Sequence, residues 1–276
     1  MERVGVPGGE LAYERSGSYG DPLVLVHDGW DDRGTWDRVV PGLAESLQVL
    51  TYDRRGHGAS SAPAGERPIA ANARDLVDLL EATGLYPAHL HGHGLGGAIV
   101  LRLAAERPEL VRSVSLHEPP FVGVAGGRSA EGPELRGRDE RLSELAAQAR
   151  TGDTEAAARG FLAAFGSPGE RWDRQGPEDR RRLRANAVAW ALEIVDPEAA
   201  RPPLAEVAAL ALPVLATCGE LSPPGAAGVV RALGADLPNA TVRVLTGVGY
   251  APQRSDPDVV IGVLGTFLLE RNVPTT

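Results

Sequence analysis

The feature that most constrains the fold is a regular alternation of short apolar runs and longer helical patterns across residues 11–117. Leu11–Arg15, Leu23–His27, Val49–Tyr52, His89–Gly92 and Val111–His117 are short runs bounded by Gly, Asp and Pro, and they predict strands. Between them, Leu76, Leu79 and Leu80 give Asn72–Ala82 a helical period, and Leu95–Arg107 has another. Thr35 is placed to cap a helix over Trp36–Leu47. Strands and helices in this rhythm predict a parallel sheet covered on both faces.

The rhythm then breaks. Residues 122–138 are rich in Gly and Arg and predict a mobile loop. Three helical stretches follow, Arg138–Arg150, Thr154–Phe165 and Pro177–Val195. It resumes with strand Val214–Cys218, helix Gly225–Leu233, strand Thr241–Leu245 and helix Asp258–Leu269. The expected organisation is a core of residues 1–120 and 206–276, interrupted by a helical insert over 121–205.

Composition narrows the class. With 276 residues, 43% hydrophobic and 24% charged, the chain can bury a sizeable core and is not disordered as a whole. Cys218 is the single cysteine, so no disulfide forms within the chain. No run of about 18 apolar residues is present, and the start lacks the apolar stretch of a secretory signal, so a soluble cytoplasmic protein is expected. The net charge of −9 argues against nucleic acid. All 28 basic residues are arginine, which excludes a lysine nucleophile, a Schiff base and a P-loop lysine. Arg, Ala, Gly and Pro in place of Lys also fit a GC-rich, actinobacterial type of genome.

Four landmarks, in order, carry a resemblance. They are the turn His27-Asp28-Gly29-Trp30, the loop Asp53-Arg54-Arg55-Gly56-His57-Gly58-Ala59-Ser60, the strand-to-helix turn Gly92-His93-Gly94-Leu95-Gly96-Gly97, and Gly247-Val248-Gly249-Tyr250. Together they resemble the α/β-hydrolase superfamily, with residues 121–205 as its cap. The third landmark is similar to the family's nucleophile elbow. The resemblance implies that the backbone N–H groups of Gly29 and Leu95 form an oxyanion hole.

The departures from that pattern bear on function. Gly94 stands where the family carries a nucleophile, and Tyr250 where it carries a general base. All six histidines lie at or before His117, so the order Ser, acid, His is not completed downstream. Ser222 falls where an Asp is common. Glu118, at the end of the strand before the insert, matches a relocated acid site. It is either a general acid/base or a hinge tie.

The expected protein is therefore a triad-less, cofactor-independent α/β-hydrolase-fold enzyme. Members of that kind are known in natural-product pathways, and this resemblance implies addition, cyclisation or C–C bond formation on an apolar, polyketide-like molecule. Glu118 and Tyr250 would handle protons, while Gly29 and Leu95 would hold an oxyanion. Trp30, Gly94, His93, His27, Ser222, Phe121 and Trp190 are the candidates for substrate contact, around an open, mainly apolar chamber. A hydrolase acting on an ester or epoxide through activated water, and a binding protein without catalysis, are the alternatives. The partner is a small apolar or aromatic molecule, with no nucleic acid and no membrane; a homodimer stays open. His89, His91 and His93 alternate as ligands would, but no metal is expected, because His93 fits the elbow and the others pack beneath helices. Gly94-Leu95-Gly96-Gly97 completes no dinucleotide fingerprint.

Overall fold

The computed structural model describes residues 1–61, 68–121, 123, 132–223 and 225–269. Eight strands form one sheet in the order β1-β2-β4-β3-β5-β6-β7-β8. They are β1 Glu2–Val6, β2 Gly9–Ser16, β3 Pro22–Val26, β4 Gln48–Tyr52, β5 Ala88–His93, β6 Val111–His117, β7 Val214–Gly219 and β8 Ala240–Leu245. From β4 to β8 all neighbours are parallel. β2 pairs antiparallel with both β1 and β4. β1 was not expected, since Glu2–Val6 is half exposed and lacks a clean alternation; pairing with β2 across the Pro7-Gly8 turn makes it a strand.

Helices α1 Val40–Leu43, α2 Ile69–Thr83 and α3 Leu95–Glu106 lie in the first part of the chain. The helix expected over Trp36–Leu47 is instead a 3₁₀ turn, Arg33–Trp36, followed by the single turn of α1. Its cap is Asp32, whose side chain accepts from the Gly34 N–H at 3.0 Å, and Thr35 is buried inside the turn.

Between β6 and β7 come α4 Gly132–Arg150, α5 Thr154–Phe165 and α6 Pro177–Glu193, then the short α7 Pro197–Ala200 and α8 Leu204–Ala208. α4 starts at Gly132, so the expected loop ends earlier than residue 138; its residues 122 and 124–131 lie outside the described residues. Helices α9 Ala226–Asp236, α10 Pro252–Ser255 and α11 Pro257–Leu269 complete the chain.

Strand β3 shows how the sheet is covered. Val24 and Val26 face the cluster that includes Leu76, Leu80, Ile99 and Leu103. Leu23 and Leu25 face the opposite cluster, with Trp36, Leu264 and Phe267. Both faces are buried, so the run is continuously apolar rather than alternating. Each such side chain contributes about 1.5–3 kcal/mol on burial. Phe161, Phe165 and Trp190 from the insert join the first cluster, so insert and sheet share one core. Arg54 Nη2 and Glu193 Oε2, both fully buried, pair at 2.9 Å and tie the loop after β4 to α6.

Candidate functional site

The site lies where β5 turns into α3. Gly94 has φ 53° and ψ −125°, a conformation that L side chains rarely adopt. Its N–H donates to the His117 carbonyl at 3.0 Å. The space above Gly94 is taken by another residue. A Cβ built there would collide with the carboxylate of Asp28 and lie 2.8 Å from the Tyr250 hydroxyl. Asp28 Oδ1 accepts from the Leu95 N–H at 2.8 Å, and Oδ2 accepts from the Tyr250 hydroxyl at 3.0 Å. Asp28 is 2% exposed and Tyr250 9%. One of the two expected oxyanion donors, Leu95, is thus engaged by the protein's own carboxylate. The Gly29 carbonyl, on the same turn as the second donor, lies 3.0 Å from His57 Nε2.

Two histidines fix this arrangement from beneath. His27 Nε2 accepts from the Arg54 N–H at 3.0 Å, leaving Nδ1 to donate to the Asp28 carbonyl at 2.7 Å. His93 Nδ1 accepts from the Gln253 amide at 3.1 Å, and Nε2 donates to the Tyr250 carbonyl at 2.9 Å. Their expected role in substrate contact is corrected accordingly: both rings are fully buried, and they position Asp28 and Tyr250 through the backbone.

Burial, then the Asp28 charge beside it, pushes the Tyr250 hydroxyl well above the ordinary tyrosine range. It therefore keeps its proton at neutral pH and serves as a donor, not a base.

Aromatic side chains roof the pair. Trp30 stacks on Trp190 with ring centroids 4.5 Å apart and on Phe161 at 4.8 Å, and Phe161 meets Tyr250 at 5.6 Å. The hollow they leave is about 20 Å³, lined by Asp28, Trp30, Phe161, Glu170, Tyr250 and Arg254 among others. That is room for about one water molecule. Among the described residues, the aromatic rings fill the space over Asp28 and Gly94 where an open chamber was expected. Trp190 also blocks Gly29, where a built Cβ would sit 2.8 Å from its Cδ1. Phe121 is fully buried and does not line this hollow.

Glu118 is placed elsewhere. It follows β6 directly in a left-handed conformation, φ 50°, and is 2% exposed. Its Oε1 accepts from the Gly219 N–H at 2.9 Å, and it does not line the hollow at Asp28. Burial raises its pKa above the usual carboxylate value, with Arg138, Ser222 and the Gly219 N–H pulling the other way. The structure thus brings together Gly94, Leu95, Tyr250 and Trp30, with Glu118 and Ser222 as a separate group.

Two residues central to the site were not singled out from sequence. Asp28 was legible only as part of the oxyanion turn; the signal available was an acid next to the glycine of that turn. Glu170, from the insert, accepts from the Ala251 N–H at 2.7 Å and the Ser167 N–H at 2.6 Å, and so clamps the insert to the segment carrying Tyr250. The signal available for it was the capping box Ser167-Pro168-Gly169-Glu170. Among the described residues, no group of three or more His, Cys, Asp or Glu is arranged to hold a metal ion. No described helix is long and apolar enough to cross a membrane.

The sequence model of the α/β hydrolase fold matches residues 21–252, so the chain belongs to that family, whose members are mostly hydrolytic enzymes. It is 35% identical over 133 residues to the dihydrolipoyllysine-residue acetyltransferase component of an acetoin cleaving system of Pseudomonas putida, covering 47% of this chain and 35% of that one. It is 34% identical over 119 residues to bifunctional epoxide hydrolase 2 of Sus scrofa, covering 42% of this chain and 21% of that one. The chain thus spans well under half the length of these curated relatives. Among solved structures, the enol-lactonase from Burkholderia xenovorans LB400 superposes with a TM-score of 0.77 at 23% identity, over 97% of this chain and all of that one.

Proposed function

We propose that this chain is a hydrolase that activates water directly, without a nucleophile at the elbow, and that its substrate is a small apolar epoxide. The observation that carries the reading is the Asp28 carboxylate over Gly94, held by Leu95 N–H and Tyr250. Asp28 is the general base. It takes a proton from water as the water oxygen attacks a ring carbon. The ring C–O bond breaks, and the alkoxide takes the Tyr250 proton. The phenolate is then reprotonated by Asp28, and the sum is epoxide plus water to diol. Ester hydrolysis is less well supported, because a tetrahedral oxyanion needs the Leu95 N–H that Asp28 occupies. Epoxide opening needs a proton donor at the leaving oxygen, and Tyr250 supplies it once its hydroxyl turns from Asp28 Oδ2 to the substrate. The partial similarity to an epoxide hydrolase supports the same class.

The cyclisation reading drawn from the sequence has less support. It requires a chamber for a polyketide-like molecule, and the hollow at Asp28 holds about one water. Entry of any substrate requires the Trp30, Trp190 and Phe161 roof to shift with the insert. A binding role without catalysis is the second reading, favoured by that same packed roof. A single turnover of styrene oxide in ¹⁸O-water tests the proposal. Water attack places the label in the diol of the first turnover. Unlabelled first-turnover diol with label left on Asp28 would mean that Asp28 itself attacks, and absence of diol would favour the binding role.

A further inference from the structure

A second polar group lies at the seam between sheet and insert, apart from the Asp28 centre. Glu118 Oε2 and two guanidinium nitrogens of Arg138, Nε and Nη1, are buried without a hydrogen-bond partner, and the Ser222 hydroxyl lies against the Glu118 carboxylate. These atoms come from three places: the end of β6, the loop after β7, and α4. Buried polar atoms are rarely left unpaired, because each costs the full loss of its hydration. The backbone adds a cost at the same spot, since Glu118 is held at φ 50°, and strain of this kind collects at ligand sites. The Gly219 N–H fixes Oε1 at 2.9 Å and leaves Oε2 available. Arg138 sits over Phe165, its Cζ 5.0 Å from the ring centroid. Phe165 stacks in turn on Phe161, at 5.1 Å, and Phe161 on Tyr250. The guanidinium acts electrostatically on both Glu118 and Tyr250, yet no hydrogen bond closes the distance to Oε2. Buried opposite charges left without hydrogen bonds call for a group that pairs with both.

We propose that Glu118, Ser222 and Arg138 form a binding subsite for a carboxamide-type group, a carbonyl bonded directly to an N–H. The carbonyl oxygen accepts from the Arg138 guanidinium, and the N–H donates to Glu118 Oε2. The Ser222 hydroxyl supplies a further donor or acceptor. A ligand carboxylate is disfavoured beside Glu118, and a ligand ammonium beside Arg138. A neutral group that carries acceptor and donor on adjacent atoms satisfies both. The Phe165 and Phe161 faces then suit an apolar or aromatic body next to the amide. The subsite stands independently of the epoxide reading, because it concerns binding at residues that reading does not use.

The test is titration of the full-length chain with benzamide and with N,N-dimethylbenzamide, which keeps the carbonyl and lacks the donor. Benzamide is expected to bind at least about tenfold more tightly. Arg138→Met should weaken benzamide by a similar factor with little change in Tm, since Arg138 is only half-buried on α4. Glu118→Gln, which keeps a neutral acceptor, should lose part of the preference. Asp28→Asn should leave benzamide binding intact, so loss of turnover and loss of this subsite are read separately. Equal affinities for the two amides, or an unchanged Arg138→Met, would overturn the proposal. So would a benzamide-soaked crystal with only water between Glu118 and Arg138.

Discussion

The carboxylate of Asp28 occupies the space that a side chain on Gly94 would need. The elbow turn persists, but the group at its apex is delivered from the oxyanion turn opposite. Leu95 N–H and the Tyr250 hydroxyl hold that carboxylate in place at 2.8 and 3.0 Å. The turn at Gly94 thus carries at its apex an acid from the end of a neighbouring strand.

Gly94→Ser tests this occupancy. The substitution puts a Cβ into the Asp28 carboxylate at a position with φ 53°. A loss of about 1–3 kcal/mol in stability is expected from the backbone alone. No fluorophosphonate labelling should appear, because Tyr250 is a proton donor and cannot activate the new hydroxyl. Thermal melting and probe labelling of wild type and variant read both outcomes. A stable, strongly labelled Gly94→Ser would show that Asp28 yields readily and that another base is in reach.

Buried histidines should make the fold acid-sensitive. Burial pushes His91 down to about 3, with His93 adding to the shift, and places His27 and His117 well below the usual 6.5. His91 Nδ1 is spoken for by Ser115 Oγ at 2.9 Å. These groups stay neutral in the fold while the unfolded chain binds protons below about pH 6.5. Their contribution to stability is therefore complete above 6.5 and declines as pH falls toward 3. Urea midpoints at pH 7.5 and 5.0 should differ, and His91→Gln should reduce that difference. An unchanged pH dependence in the variant would refute the assignment.

The buried pair Arg54–Glu193 links the loop after β4 to the insert. Glu193→Ala should cost about 3–5 kcal/mol, because a charged Arg54 is left in the core. Replacing both, as Arg54→Met with Glu193→Leu, should recover most of that loss. Denaturant unfolding of the three proteins decides it; a double variant as unstable as Glu193→Ala would show that shape, not charge, sets the cost.

Much of the fold was legible because its signals are local. β6 and α5 match their sequence-read bounds, since apolar runs end at clear breakers. The helix expected after Thr35 failed because Pro41 has no N–H to bond back to the preceding turn, so the chain starts a new single turn there. The site was legible only in part. Gly94 and Tyr250 stood out by departing from a pattern, and both lie at the centre. Asp28 did not, because its role depends on a contact with Tyr250, 222 residues away in sequence. Glu118 follows β6, but spacing could not show that its carboxylate accepts from the Gly219 N–H. The open chamber failed for a similar reason: ring packing between Trp30 and Trp190 is a property of the assembled core.

The most direct measurement is the rate of diol formation from styrene oxide by wild type and Asp28→Asn, with Tm confirming the fold. Asparagine keeps the shape and an acceptor for the Leu95 N–H, and removes the base. The rate is expected to fall by about 10²–10⁴-fold. A variant that turns over within about twofold of wild type would contradict the central role given to Asp28.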